Sequence, residues 1–181
     1  DTCAVLGSVT DVYATDTTLY LASTVWDTAL FKNAGEFYSN FAENSDKILV
    51  GDDVYKTRIL SFSLGDGTLS PRATGVVPGI LIRGGMNVYN GTLRVVATTN
   101  NWAEHPSANL TTLDENLTTL ANVGDLSPTS SVLSVTYYEN LVCLSTEGDN
   151  SSDLLYDTTD PAAPKNIGCF PASLSNAKLY S

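Results

Sequence analysis

The chain has 181 residues, 43% of them hydrophobic and only 16% charged, with a formal net charge of −11. This size and composition allow a buried core and exclude a disordered chain. The acidic balance excludes nucleic acid and anionic membrane as partners, because both require a basic face. No apolar run reaches the roughly 18 residues of a membrane span, so membrane insertion by this segment is not expected. The chain opens at Asp1 without an initiator Met or a basic leader, as expected of a processed or excerpted chain.

Strand signals run from end to end, as short stretches of β-branched and aromatic residues separated by Gly, Asn, Asp and Pro. The first apolar run, "LYLAST" (Leu19 to Thr24), follows a tyrosine and a polar turn in "VYATDTT". A long segment from Val25 to Lys56 comes next and fits no repeating element. Within it, "DTALFKNAGEFYSNF" (Asp27 to Phe41) is broken by Asn33-Ala34-Gly35 and predicts at most a short loop helix. The hairpin "ILSFSLGDGTLSPRATG" (Ile59 to Gly75) closes this first unit.

The same order then recurs twice. "VYNGT" leads into "RVVATT" (Arg94 to Thr99), with the hairpin "NLTTLDENLTTLANVG" (Asn109 to Gly124) behind it. "TYYEN" leads into "LVCLST" (Leu141 to Thr146), followed by "DLLYDTTDPAAPKNIG" (Asp153 to Gly168). Two hairpins per unit, repeated at a spacing of roughly 45 residues, are the sequence form of a four-stranded propeller blade. The units cover about 11–77, 84–124 and 132–168, and "NAKLYS" near 176 reads as the opening strand of another blade. The expected fold is therefore all-β: a partial β-propeller of about three antiparallel blades and the start of a fourth. The second strand of each unit is apolar at successive positions, as expected of a strand covered on both faces.

"TRILSFSLGDGTLSPRATGVVPG" (Thr57 to Gly79), "YNGTLRVVATT" and "LTTLDENLTTLANVGDLSP" resemble the secreted proteins with a C-terminal β-propeller domain. "DTTDPAAPKNIG" (Asp157 to Gly168) is similar to that family's closing element. The resemblance covers most of the chain from Val12 onward and implies a β-propeller. Its motifs are structural and bring no catalytic residues with them.

Blade geometry assigns faces to the loops. With strands a to d running from inside to outside, the a–b and c–d turns share one face of the disc, and the b–c and d–a connections share the other. Four N-glycosylation sequons begin at Asn90, Asn109, Asn116 and Asn150. Asn90 falls in an a–b turn and Asn116 in a c–d turn, so their glycans would share a face. The b–c loops of the opposite face carry Trp26, Phe31, Phe37, Tyr38, Phe41, Trp102 and His105, the candidate partner face for a protein or a glycan. Three blades cannot close a ring, so remaining blades or neighbouring subunits are expected to cover the open sheets, with self-assembly as one route. Among three cysteines, Cys143 lies on strand b of the third unit and Cys169 just past its closing glycine, and a bridge between them is expected. Cys3 is the repeat equivalent of Cys169, which points its partner outside this chain segment.

Catalytic constellations are not evident. His105 is the single histidine and has no nucleophile-elbow serine near it. The acidic residues Asp52, Asp53, Asp66, Asp114, Glu115, Asp149 and Asp153 sit in or beside turns, where Asp is favoured for local hydrogen bonding. "LGDGT" (Leu64 to Thr68) and "GDNSSD" (Gly148 to Asp153) offer oxygen ligands, yet neither completes a calcium loop. "RGGMN" (Arg83 to Asn87) has no helix behind it to cradle phosphate. No catalytic residue, metal or cofactor is therefore expected. The expected function is that of a non-enzymatic secreted or cell-surface glycoprotein module, for binding or scaffolding in extracellular matter. Two alternatives remain open: a polysaccharide-acting enzyme with its site partly on missing blades, and a subunit of an extracellular fibre or sheath.

Overall fold

A computed structural model describes residues 8–26, 55–65, 67–99, 107–127, 131–147 and 152–171. These residues form twelve strands and, among them, no helix. The first sheet contains β1 (Asp11–Ala14), β2 (Thr18–Trp26), β3 (Tyr55–Gly65) and β4 (Thr68–Pro78). The second contains β5 (Ile80–Tyr89), β6 (Thr92–Thr99), β7 (Ser107–Leu113) and β8 (Thr119–Val123). The third contains β9 (Ser131–Tyr138), β10 (Leu141–Glu147), β11 (Ser152–Asp157) and β12 (Lys165–Pro171). In each sheet the strands pair in sequence order, and every pairing is antiparallel. The segment expected to hold at most a loop helix, Asp27 to Phe41, and most of the 25–56 segment lie outside the described residues.

Local chemistry sets the turns. Between β5 and β6, Asn90 and Gly91 both take positive φ, 48° and 78°, as a two-residue type I′ turn demands. Asp114 organises the β7–β8 turn by accepting from the backbone N–H groups of Asn116 and Thr118 at 2.9 and 2.8 Å. In the third sheet the Asp157 carboxylate accepts from the Thr159 hydroxyl and from Asn140 Nδ2. These bonds hold its pKa below the usual carboxylate range.

The core consists of two apolar seams between neighbouring sheets. Tyr20, Ala22, Ile59 and Val77 of the first sheet meet Met86, Leu93, Val95, Leu113 and Leu117 of the second. Ile82, Val96, Ala108 and Leu110 of the second meet Val132, Val142, Leu144 and Tyr156 of the third. Alternate residues of the middle sheet thus serve opposite seams. Leu93 through Ala97 are consecutively buried, and so is the whole of β7. A strand covered on both faces has no polar side to show. Among the described residues, the end sheets are covered on one face only. On β10, Val142, Leu144 and Thr146 are buried, whereas Leu141, Cys143 and Ser145 alternate with them half-buried.

The three similar apolar runs therefore occupy different environments, and they are not all in phase. Val95 and Val142, matched in "RVVATT" and "LVCLST", both face the preceding sheet. Tyr20, their match in "LYLAST", faces the following one. The cause is a one-residue offset in the sequence match: all three hairpins close on a two-residue turn, Thr15 on Thr18, Tyr89 on Thr92 and Tyr138 on Leu141, so counted from the turn Tyr20 corresponds to Arg94 and Cys143. Because side chains alternate along a strand, an offset of one residue assigns every one of them to the other face.

Candidate interaction faces

Each seam carries a few polar ties. At the first, the Tyr13 hydroxyl accepts from Val88 N at 3.2 Å, and the exposed Arg72 meets Glu115 at 2.6 Å. Leu117, at φ 59°, buries its side chain against Gly75. A Cβ on that glycine would lie 2.7 Å from Leu117 Cβ. At the second seam Arg94 is 2% exposed. Its Nη1 donates to Glu139 O at 2.7 Å and to the Thr158 hydroxyl at 3.0 Å, and its Nη2 donates to Asn87 Oδ1. The guanidinium carbon lies 5.3 Å from the Tyr89 ring centre and 5.1 Å from that of Tyr137. The Tyr137 hydroxyl donates in turn to Gly85 O at 2.7 Å. Nε has no hydrogen-bond partner, and burial lowers the Arg94 pKa. Backbone and side-chain oxygens with two aromatic faces thus hold the charge at the junction of the second and third sheets.

The outward faces of the end sheets have a different character. On the first sheet, Val12 pairs with Leu21, Leu21 with Leu60, and Arg58 with Val76. Paired residues share a face, and this one is opposite to that of Tyr20 and Ile59. Val12 is 57% and Val76 46% exposed there, and Leu19, Leu21 and Leu60 are half-buried. No described strand packs on this face. On the third sheet the outward face includes Leu141, Cys143 and Leu155. Leu133 and Ile167, at irregularities of β9 and β12, are also exposed. Apolar side chains in rows across a sheet are what the two internal seams are made of, so each end of the stack presents a face suited to another sheet.

The expected bridge between Cys143 and Cys169 is corrected by the register: both are free thiols. Cys143 lies opposite Leu155 and Cys169 opposite Leu154, with β11 between them. Adjacent residues of a strand point to opposite faces, so the two cysteines do as well. Two strand spacings set them about 10 Å apart, beyond the roughly 7 Å that a disulfide spans. Burial raises the Cys143 pKa, with the Asp153 charge as a smaller cause. Cys3 lies outside the described residues.

The sequons fall into distinct settings. Asn90 and Asn116 are exposed, in the β5–β6 and β7–β8 turns at the same end of the middle sheet. Asn109 is 8% exposed within the fully buried β7, and Asn150 lies outside the described residues. Of the candidate partner face, Trp26 ends β2 opposite Tyr55, with its side chain outside the described residues. Phe31, Phe37, Tyr38, Phe41, Trp102 and His105 lie wholly outside them. Among the described residues no three His, Cys, Asp or Glu side chains come together as a metal-binding group. An open depression at the β3–β4 turn is lined by Asp16, Leu64, Gly65, Gly67, Thr68 and Leu69. Open sheet faces at the two ends are expected from three blades that cannot close a ring, whereas Arg94 does not stand out in the sequence as a candidate site. Arg94 reads there as the polar residue that opens an apolar run.

Stacked four-stranded antiparallel sheets, each a meander and each sealed to the next by apolar side chains, define blades of a β-propeller. The family model described as "Beta propeller domain" matches residues 1–170, and the chain belongs to that family. No match was found among curated proteins. A β-propeller domain is suited to protein interaction or scaffolding.

Proposed function

We propose that the chain is a non-enzymatic interaction and scaffold module of a secreted or cell-surface glycoprotein, and that its two outward sheet faces dock further blades. The observation that carries this reading is the contrast between the doubly sealed middle sheet and the apolar, partly exposed outward faces at Val12, Leu21, Val76, Leu141 and Leu155. The sequons and the small number of basic residues, nine Lys and Arg, support the extracellular setting. The b–c loop face, with Trp26 at the end of β2 and Trp102 and His105 on its loops, is left to receive a protein or glycan partner. The docking faces are tested by light scattering on the purified chain. Association that a charged substitution at Val76 abolishes supports the reading, and a wild-type chain that remains monomeric counts against it.

The outward faces also favour a second reading, a subunit of an extracellular fibre or sheath. Two unlike faces at opposite ends of a stack join head to tail, and such contacts close into rings or run on into filaments. Negative-stain microscopy separates rings from filaments.

A further inference from the structure

We propose that Asn90 and Asn116 are N-glycosylated and that Asn109, the sequon between them, is not, so that one rim of the middle blade carries the sugar. This rests on the reading of the chain as extracellular and goes beyond it by assigning the acceptors. All three asparagines satisfy the same short pattern, Asn90-Gly91-Thr92, Asn109-Leu110-Thr111 and Asn116-Leu117-Thr118. The fold separates them. Asn90 is the first residue of a two-residue turn, exposed at the tip of the β5–β6 hairpin. Asn116 is exposed in the β7–β8 turn, whose shape is held from within by Asp114 and by the buried Leu117. Both turns close at the same end of one meander, so sugars on them project from one rim.

Asn109 sits opposite Ala97 in the strand that is buried at all seven positions. The hydroxyl of Thr111, which completes its sequon, is buried and donates to Asn122 Oδ1 at 3.1 Å. An oligosaccharide on Asn109 would have to occupy space filled by the neighbouring sheet, so a chain modified there does not reach this fold.

In the transfer, the donor is a lipid-linked oligosaccharide phosphate brought by a membrane transferase. The asparagine Nδ2 attacks the anomeric carbon of the first sugar and the C–N bond forms. The bond from that carbon to the phosphate oxygen breaks, the lipid phosphate leaves with the bonding pair, and the amide proton passes to a base of the transferase. The opposite rim, where the b–c loops emerge, stays free of sugar on the middle blade. The middle blade then has one sugar-bearing rim and one bare rim.

The test is to secrete the full chain from a host with an N-glycosylation pathway, alongside a known glycoprotein as a control. The folded fraction is isolated and glycopeptides are mapped by mass spectrometry before and after enzymatic deglycosylation. Sugar on Asn90 and on Asn116 with none on Asn109 is the expected result. Asn90→Gln and Asn116→Gln each remove one glycan from the intact mass, as do Thr92→Ala and Thr118→Ala, which leave the asparagines in place. A bare Asn90 or a bare Asn116 overturns the proposal, and so does sugar on Asn109. Light scattering on the deglycosylated protein reports separately on the docking faces, so failure of the glycan assignment is distinguishable from failure of the module reading.

Discussion

Arg94 ties the second seam through three hydrogen bonds and two ring contacts. Its removal leaves Glu139 O and Asn87 Oδ1 without their donor and takes a cation from between two tyrosine rings. Bonds to a charged group and a desolvated cation–π contact each contribute on the order of 1–3 kcal/mol, offset by the cost of burying the charge. Arg94→Ala is predicted to destabilise the chain by about 3 kcal/mol, a fall in Tm of roughly 6–12 °C for a protein of this size. Arg94→Met fills the space without leaving a buried charge and should lose less. Calorimetry on the two variants checks both statements, and equal stability of Arg94→Ala and the parent would refute them. The cysteines give a second residue-scale prediction. In the native protein Cys169, exposed on β12, should alkylate readily, whereas Cys143, half-buried and with its thiol pKa pushed up, should react more slowly. Peptide mapping after timed alkylation reads both rates. A Cys143–Cys169 disulfide would contradict the register of the third sheet.

At the scale of elements, the c–d hairpin of the second sheet closes over the first sheet. The β7–β8 turn lodges Leu117 against Gly75 of β4, with no room for a methyl group between them. Gly75→Ala is predicted to cost about 1–3 kcal/mol by forcing the first two sheets apart at that point. A urea midpoint unchanged from the parent would refute the contact. This scale also shows what was legible in the sequence. The meander order, the Asn90-Gly91 turn and the doubly covered "RVVATT" run could be read directly, because turn chemistry and unbroken apolarity are local properties. The phase of the first unit could not, because "LYLAST" matches the later runs one residue out of step with its turn, so Tyr20 stands in the place of Arg94 and not of Val95. The cysteine pairing failed for a related reason: distance along the chain says nothing about which face of a strand a side chain takes. The role of Arg94 was hidden because its partners, Glu139 and Thr158, come from turns of the next unit.

At the scale of the molecule, the described residues form a stack of three sheets with a sealed middle and two apolar ends. A sheet face that exposes Val12 and Val76 beside Leu21 and Leu60 loses free energy when it is covered, at about 25 cal/mol for each Å² of apolar surface removed from water. The chain's net charge of −11 opposes association at low salt and is screened within about 8 Å at physiological ionic strength. Docking of the end faces is therefore predicted to strengthen as salt is raised. The most direct measurement is multi-angle light scattering on the unglycosylated chain across a concentration series in physiological salt. The wild type should show a mass above that of the monomer, and Val12→Lys combined with Val76→Glu should return it to the monomer with its strand content intact. A wild-type chain that stays monomeric and well folded at every concentration would contradict the claim that these faces are built to dock.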